Sequence, residues 1–182
     1  MNFLASRAQL RASFLRWSLF CVPLVLAVGF LSGELGGPDT LWFQNLRKPA
    51  IFPPPAAFGI VWGILFTIIG FALALVASAW GARGRLLAIG LFVLHFPLTL
   101  AWTPVFFGAQ WMEGGLIVLG AAIVTLVLVV AAFWRVRRIA GLLLLPYLAW
   151  VCFAALLNYR FLAENPDGGI KGDSGPAVEV SL

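Results

Sequence analysis

The chain has 182 residues, of which 62% are hydrophobic and only 10% charged, with a formal net charge of +5 and a mean hydropathy of +1.01. A soluble domain carries roughly a quarter charged residues, so this chain has too few polar groups to cover its own surface, and an ordinary soluble globule is excluded. Its basic residues lie scattered along the edges of apolar stretches, where they act as topology determinants and give no reason to expect a nucleic-acid partner.

Five runs contain no Asp, Glu, Lys or Arg: 17–33, 49–82, 86–112, 114–134 and 139–159. A helix needs about 20 apolar residues to cross a hydrocarbon core of about 30 Å, and in lipid its backbone groups must pair within the segment. In chain order this predicts a basic amino-terminal segment over 1–13, then helices over about 14–33, 56–80, 86–107, 114–134 and 139–162. Arg7, Arg11 and Arg16 ahead of the first run resemble the start of a signal peptide. The run is too long for one, and no small-residue cleavage motif follows, so an uncleaved first helix is expected. The predicted fold is an all-α integral membrane protein, a single bundle of five transmembrane helices in contact with membrane lipid.

Three connections are short, which makes successive helices antiparallel. Only the loop 34–55, proline-rich at its end, is long enough for structure of its own. The tail 163–182 is polar and Gly-rich and is expected to be disordered. The amino end and the second and fourth loops carry 8 of the 12 basic residues, which in an inner membrane places the amino terminus in the cytoplasm. The second helix bears two small-residue rows, Gly59, Gly63, Thr67 and Gly70, Ala74, Ser78. Such rows let helices approach closely; one is expected to serve the bundle and the other a second subunit in a homodimer. Cys21 and Cys152 lie in separate spans and suggest neither a disulfide nor a metal site.

Trp17, Trp80, Trp111 and Trp134 fall at span ends and read as an interfacial aromatic belt. Three helical stripes need another account: Phe58, Trp62 and Phe66; His95, Thr99, Trp102 and Phe106; and Tyr147, Trp150, Ala154 and Asn158. All three lie toward the membrane half beneath the long loop. Intramembrane His, Thr and Asn normally face the bundle interior. The stripes therefore enclose either an aromatic pocket for a planar apolar ligand or ordinary helix packing with satisfied polar pairs. His95, the lone histidine, cannot supply bis-His haem ligation, and an interhelical hydrogen bond is its expected part. No span holds a carboxylate to orient a catalytic base, and there is no Gly-rich phosphate loop.

Three ordered blocks carry a family resemblance. The first is Trp42-Phe43-Gln44-Asn45-Leu46-Arg47-Lys48-Pro49 with Phe52-Pro53-Pro54 and Phe58-Gly59-Ile60-Val61-Trp62. The second is Ala101-Trp102-Thr103-Pro104-Val105-Phe106-Phe107-Gly108. The third is Arg138-Ile139-Ala140-Gly141 with Leu145-Pro146-Tyr147-Leu148-Ala149-Trp150-Val151, Phe153-Ala154 and Leu157-Asn158-Tyr159. Together they resemble the TspO/MBR family of tryptophan-rich sensory and translocator proteins. The resemblance implies a five-helix bundle, frequent homodimers and a loop-closed pocket for porphyrins such as protoporphyrin IX or haem, held as ligand with no obligate cofactor.

By motif position it implies a pocket of Trp42, Pro49, Trp62, Trp102, Tyr147, Trp150, Ala154 and Asn158. The helical stripes add Phe58, Phe66, His95 and Thr99. Arg47 and Lys48 are expected at the mouth, attracting propionates. The chain departs from the family pattern at Thr99 and His95, where amides are usual, at Gly63 and Phe66, and at Arg137. It also lacks a mid-span Trp in the fourth helix, and the direct Tyr159-Arg160 step breaks the sterol pattern. The expected function is porphyrin binding in tetrapyrrole handling, stress response or regulation. The alternatives are transport, with Pro23, Pro97 and Pro146 as bending points, and light-dependent porphyrin degradation.

Overall fold

The computed structural model describes residues 6–168. Its elements are α1 (Arg7–Gly33), α2 (Leu41–Asn45), α3 (Pro55–Ala77), α4 (Arg85–Thr103), a π-helical turn (Pro104–Gly108), α5 (Met112–Val136), α6 (Arg138–Leu143) and α7 (Leu145–Glu164). With the π turn counted into α4, and α6–α7 taken as one span, five helices are long and apolar enough to cross a membrane. Of the expected tail, 163–168 are described: its first two residues end α7 and Asn165 is buried, while 169–182 lie outside the described residues.

α1 starts at Arg7, ahead of the expected position 14, because Ser6 and Gln9 form a reciprocal capping box. Ser6 Oγ accepts from Gln9 N at 3.2 Å, and Gln9 Oε1 accepts from Ser6 N at 2.8 Å. α3 opens with Pro55, whose missing N–H and fixed φ suit a first helical turn. It stops at Ala77, short of the expected position 80, and turns sharply into α4. Gly81 and Gly84 adopt φ of +75° and +81° in that turn, which only glycine enters without steric cost.

The fifth span is not one continuous helix. Pro146, second in α7, cannot donate to a preceding turn, and the chain breaks between α6 and α7 at Leu144. Pro23 and Pro97, by contrast, lie inside unbroken helices.

α1 packs along α3, α4 along α5, and α5 along α7. Of the two small-residue rows, Gly70, Ala74 and Ser78 are buried, and a Cβ on Gly70 would stand 2.6 Å from Val22 Cα. That row therefore sets the close approach of α1 to α3. One apolar core runs the length of the bundle. A smaller one gathers Phe43, Leu46, Phe106, Met112, Leu157 and Phe161 at the loop end. Through it the loop 34–55 is strapped down: α2 drives Phe43 among Phe52, Phe106, Phe107 and Phe161, with ring centroids 5.1–6.4 Å apart. Burying a phenylalanine is worth roughly 1.5–3 kcal/mol, so this one ring is a substantial anchor.

Candidate functional site

Beneath the strap, between the loop-side halves of α1, α3 and α4, lies a cavity of about 700 Å3. α3 contributes Phe58, Trp62 and Phe66 to its wall, and α4 contributes Thr99 and Trp102. The periodicity that placed these five on shared faces thus brings them to one space. The rings are held by further stacking: Trp62 lies on Phe66 at 5.1 Å and 29°, and Trp102 on Phe106 at 5.2 Å and 25°. The second stack reaches into the π turn. That turn adds a residue to the helical turn, with Ala109 N bonding Pro104 O at 2.8 Å, and buries Phe106 while Phe107 lines the cavity.

The polar residues of the stripes form the frame behind this wall. Tyr147 Oη lies 2.5 Å from Thr99 Oγ1 and 2.9 Å from His95 Nε2, and His95 Nδ1 lies 2.9 Å from Thr125 Oγ1. These contacts join α4, α5 and α7. His95 and Tyr147 are fully buried, and both imidazole nitrogens are engaged within the protein. Asn158 completes a second link: its Oδ1 accepts from Trp102 Nε1 at 3.0 Å, and its Nδ2 donates to Met112 O at 2.8 Å. Gly115 makes room for that link, since a Cβ there would stand 2.7 Å from Asn158 Oδ1. His95, Tyr147, Ala154 and Asn158 are buried, but none of the four lines the cavity.

Trp150 is half-buried against Phe58 and Phe153, at 5.9 and 5.3 Å, and its Nε1 is buried without a partner among the described residues. Trp42 packs edge-on to Phe106 at 5.6 Å and donates to Gly168 O at 3.0 Å. Pro49 is buried within the strap. Arg47 is bracketed through its backbone by Asn165, which accepts from Arg47 N at 2.8 Å and donates to Arg47 O at 3.1 Å. Lys48 donates to the carbonyls of Phe43, Gln44 and Leu46 at the end of α2 and sits 4.3 Å over the Phe43 ring. Partial burial pulls its ammonium below the usual lysine range. Trp42, Arg47, Lys48, Pro49 and Trp150 therefore hold the strap or its surroundings and do not line the cavity.

Sequence reasoning missed the α1 wall of Gly29, Phe30 and Ser32, and the acidic mouth made by Glu34 and Asp39, both exposed. Ser32 Oγ donates to Leu100 O at 2.7 Å and ties α1 to α4 across the cavity. Gly59, of the other small-residue row, also lines the cavity, while a Cβ on Gly63 would meet Phe30 at 3.8 Å. The available signal was a hydroxyl and two glycines flanking Phe30 inside an apolar span. Among the described residues no group of His, Cys, Asp and Glu is placed to hold a metal.

A profile of the TspO/MBR family matches residues 21–163. The chain is 39% identical over 148 residues to the "Tryptophan-rich protein TspO" of Chlorobaculum tepidum, covering 80% of this chain and 94% of that one. It is 36% identical over 159 residues to the human "Translocator protein", covering 79% and 92%. To "Protein CrtK" of Rhodobacter capsulatus it is 30% identical over 152 residues, covering 82% and 94%. With its five apolar helices, the chain is an integral multi-pass membrane protein and belongs to the TspO/MBR family.

Proposed function

We propose that the protein binds a planar, largely apolar ligand of the porphyrin type, protoporphyrin IX or haem, in the cavity beneath the strap, and acts in tetrapyrrole handling or its regulation. One observation carries this reading. The cavity is lined by the rings of Trp62, Phe66, Phe58 and Trp102, while the Trp102 N–H and the hydroxyls of Ser32 and Thr99 are already engaged by protein partners. A ligand there meets rings and few free donors, so shape and stacking select it, and related flat molecules are tolerated. About 700 Å3 falls within the roughly 300–1,000 Å3 of small-molecule pockets. Phe43 and Phe52 of the strap also line the space, so the strap covers a bound ligand. No separate feature of the described residues favours transport or degradation over binding.

The test is a spectral titration of the purified, detergent-solubilised chain with protoporphyrin IX, against empty micelles of the same detergent. The expected result is a saturable Soret shift with one porphyrin per chain. A linear response matching that of the micelles would reject the proposal.

A further inference from the structure

Charge is divided sharply between the two ends of the bundle. All the carboxylates among the described residues, Glu34, Asp39, Glu113, Glu164 and Asp167, sit at the strap end, as does the Arg160–Glu164 ion pair. At the opposite end Arg83, Arg85, Arg135, Arg137 and Arg138 join the arginines that open α1, with no carboxylate among the described residues there.

At that arginine-rich end a groove of about 670 Å3 runs between the α3–α4 turn and the α5–α6 junction. Leu75, Val136 and Ile139 line it with hydrocarbon, and Arg137 and Arg138 line it with charge. Trp80 lines it too and is held in place by Arg85, whose guanidinium lies 4.2 Å over the indole while its Nε donates to Ala77 O at 3.0 Å. Arg137 occupies the extended residue that separates α5 from α6, at φ −149° and ψ 116°. Two consecutive guanidinium groups thus stand at an interruption of the helix, both exposed.

Guanidinium groups beside hydrocarbon, at the end of a membrane bundle and with no carboxylate partner among the described residues, are complementary to a phosphate that carries acyl chains. The planar fork of arginine matches phosphate oxygens in pairs, and basic pockets between transmembrane helices take anionic headgroups. We propose that this groove is a binding site for an anionic phospholipid, with Arg137 and Arg138 on the headgroup phosphate and Leu75, Val136 and Ile139 against the first methylenes of its chains.

Topology alone needs only the number of positive charges, whereas a site needs particular ones. Arg83 and Arg135 carry the same charge at the same end but do not line the groove, and so serve as internal controls. Native mass spectrometry of the full-length, detergent-purified chain with phosphatidylglycerol and phosphatidylcholine tests the proposal. Arg137→Gln/Arg138→Gln is expected to lose about tenfold in phosphatidylglycerol affinity, as befits loss of charge-assisted hydrogen bonds. Arg83→Gln/Arg135→Gln is expected to stay within about twofold of wild type, as a term set by distant surface charge should. Arg137→Lys/Arg138→Lys keeps charge and insertion, and is expected to lose about threefold through the missing fork.

Equal losses in the two glutamine doubles, or none in either, would overturn the site in favour of net charge alone. Displacement of the lipid by an equal concentration of inorganic phosphate would overturn the part assigned to the acyl chains. Full retention by the lysine double would overturn the bidentate contact.

Discussion

Tyr147 carries more structural duty than its place in an aromatic stripe suggests. Its hydroxyl is the shared partner of Thr99 and His95, and through His95 the link reaches Thr125 on α5. Tyr147→Phe is expected to lower resistance to unfolding in denaturing detergent by about 1 kcal/mol, the scale of an interhelical hydrogen bond in lipid. The Thr99–His95 contact at 3.3 Å survives and limits the loss. Unchanged unfolding would mean that the network adds nothing. The acidic mouth gives a second expectation. Glu34→Gln/Asp39→Asn removes like charge from the path of a dicarboxylate, so protoporphyrin IX should bind roughly threefold more tightly at low salt, with the gain fading as salt screens it. Weaker binding in that variant would assign the two carboxylates to ligand contact instead. Much of the site was legible at this scale because residues four apart on a helix share a face, which united Phe58, Trp62 and Phe66. Spacing does not settle α7 in the same way, where the buried line runs Tyr147, Val151, Ala154, Asn158 and leaves Trp150 at its flank. A spacing of three or four fits either line, and only packing decides between them.

Among the elements, the strap depends on groups far away in sequence. Asn165, at the end of α7, satisfies both backbone groups of Arg47, while Lys48 closes the last carbonyls of α2. Asn165→Ala removes both hydrogen bonds to Arg47, worth together about 1–3 kcal/mol. Amide exchange over residues 41–48 is expected to quicken, and porphyrin to dissociate faster, while the helices keep their protection. Exchange unchanged over 41–48 would show that Phe43 alone holds the strap. The charge of Lys48 and Arg47 suits a cationic mouth, yet the lysine's donors meet carbonyls of its own segment. The early start of α1 is written in Ser6 and Gln9, although a boundary drawn from the apolar run overlooks a cap. The π turn had no such signal, because the pattern of apolar residues does not distinguish one helical pitch from another over five positions.

For the whole molecule, the five-helix architecture follows from the charge-free runs, since lipid leaves a backbone few alternatives. The cavity does not follow so directly. It exists where Gly29 and Gly59 leave space beside Phe30, Trp62 and Phe66, and an absent side chain has no periodic signature. Its location is therefore the claim most in need of a direct check, and two tryptophans separate the possibilities. Trp62 lines the cavity, whereas Trp150 packs outside it on Phe58 and Phe153. Dissociation constants for protoporphyrin IX should be measured for the wild-type chain, Trp62→Ala and Trp150→Ala under one detergent condition. Loss of a stacked ring at the ligand should weaken Trp62→Ala about tenfold, with Trp150→Ala within about threefold of wild type. Binding unaffected by Trp62→Ala, or weakened more by Trp150→Ala, would place the ligand elsewhere and contradict the cavity as its site.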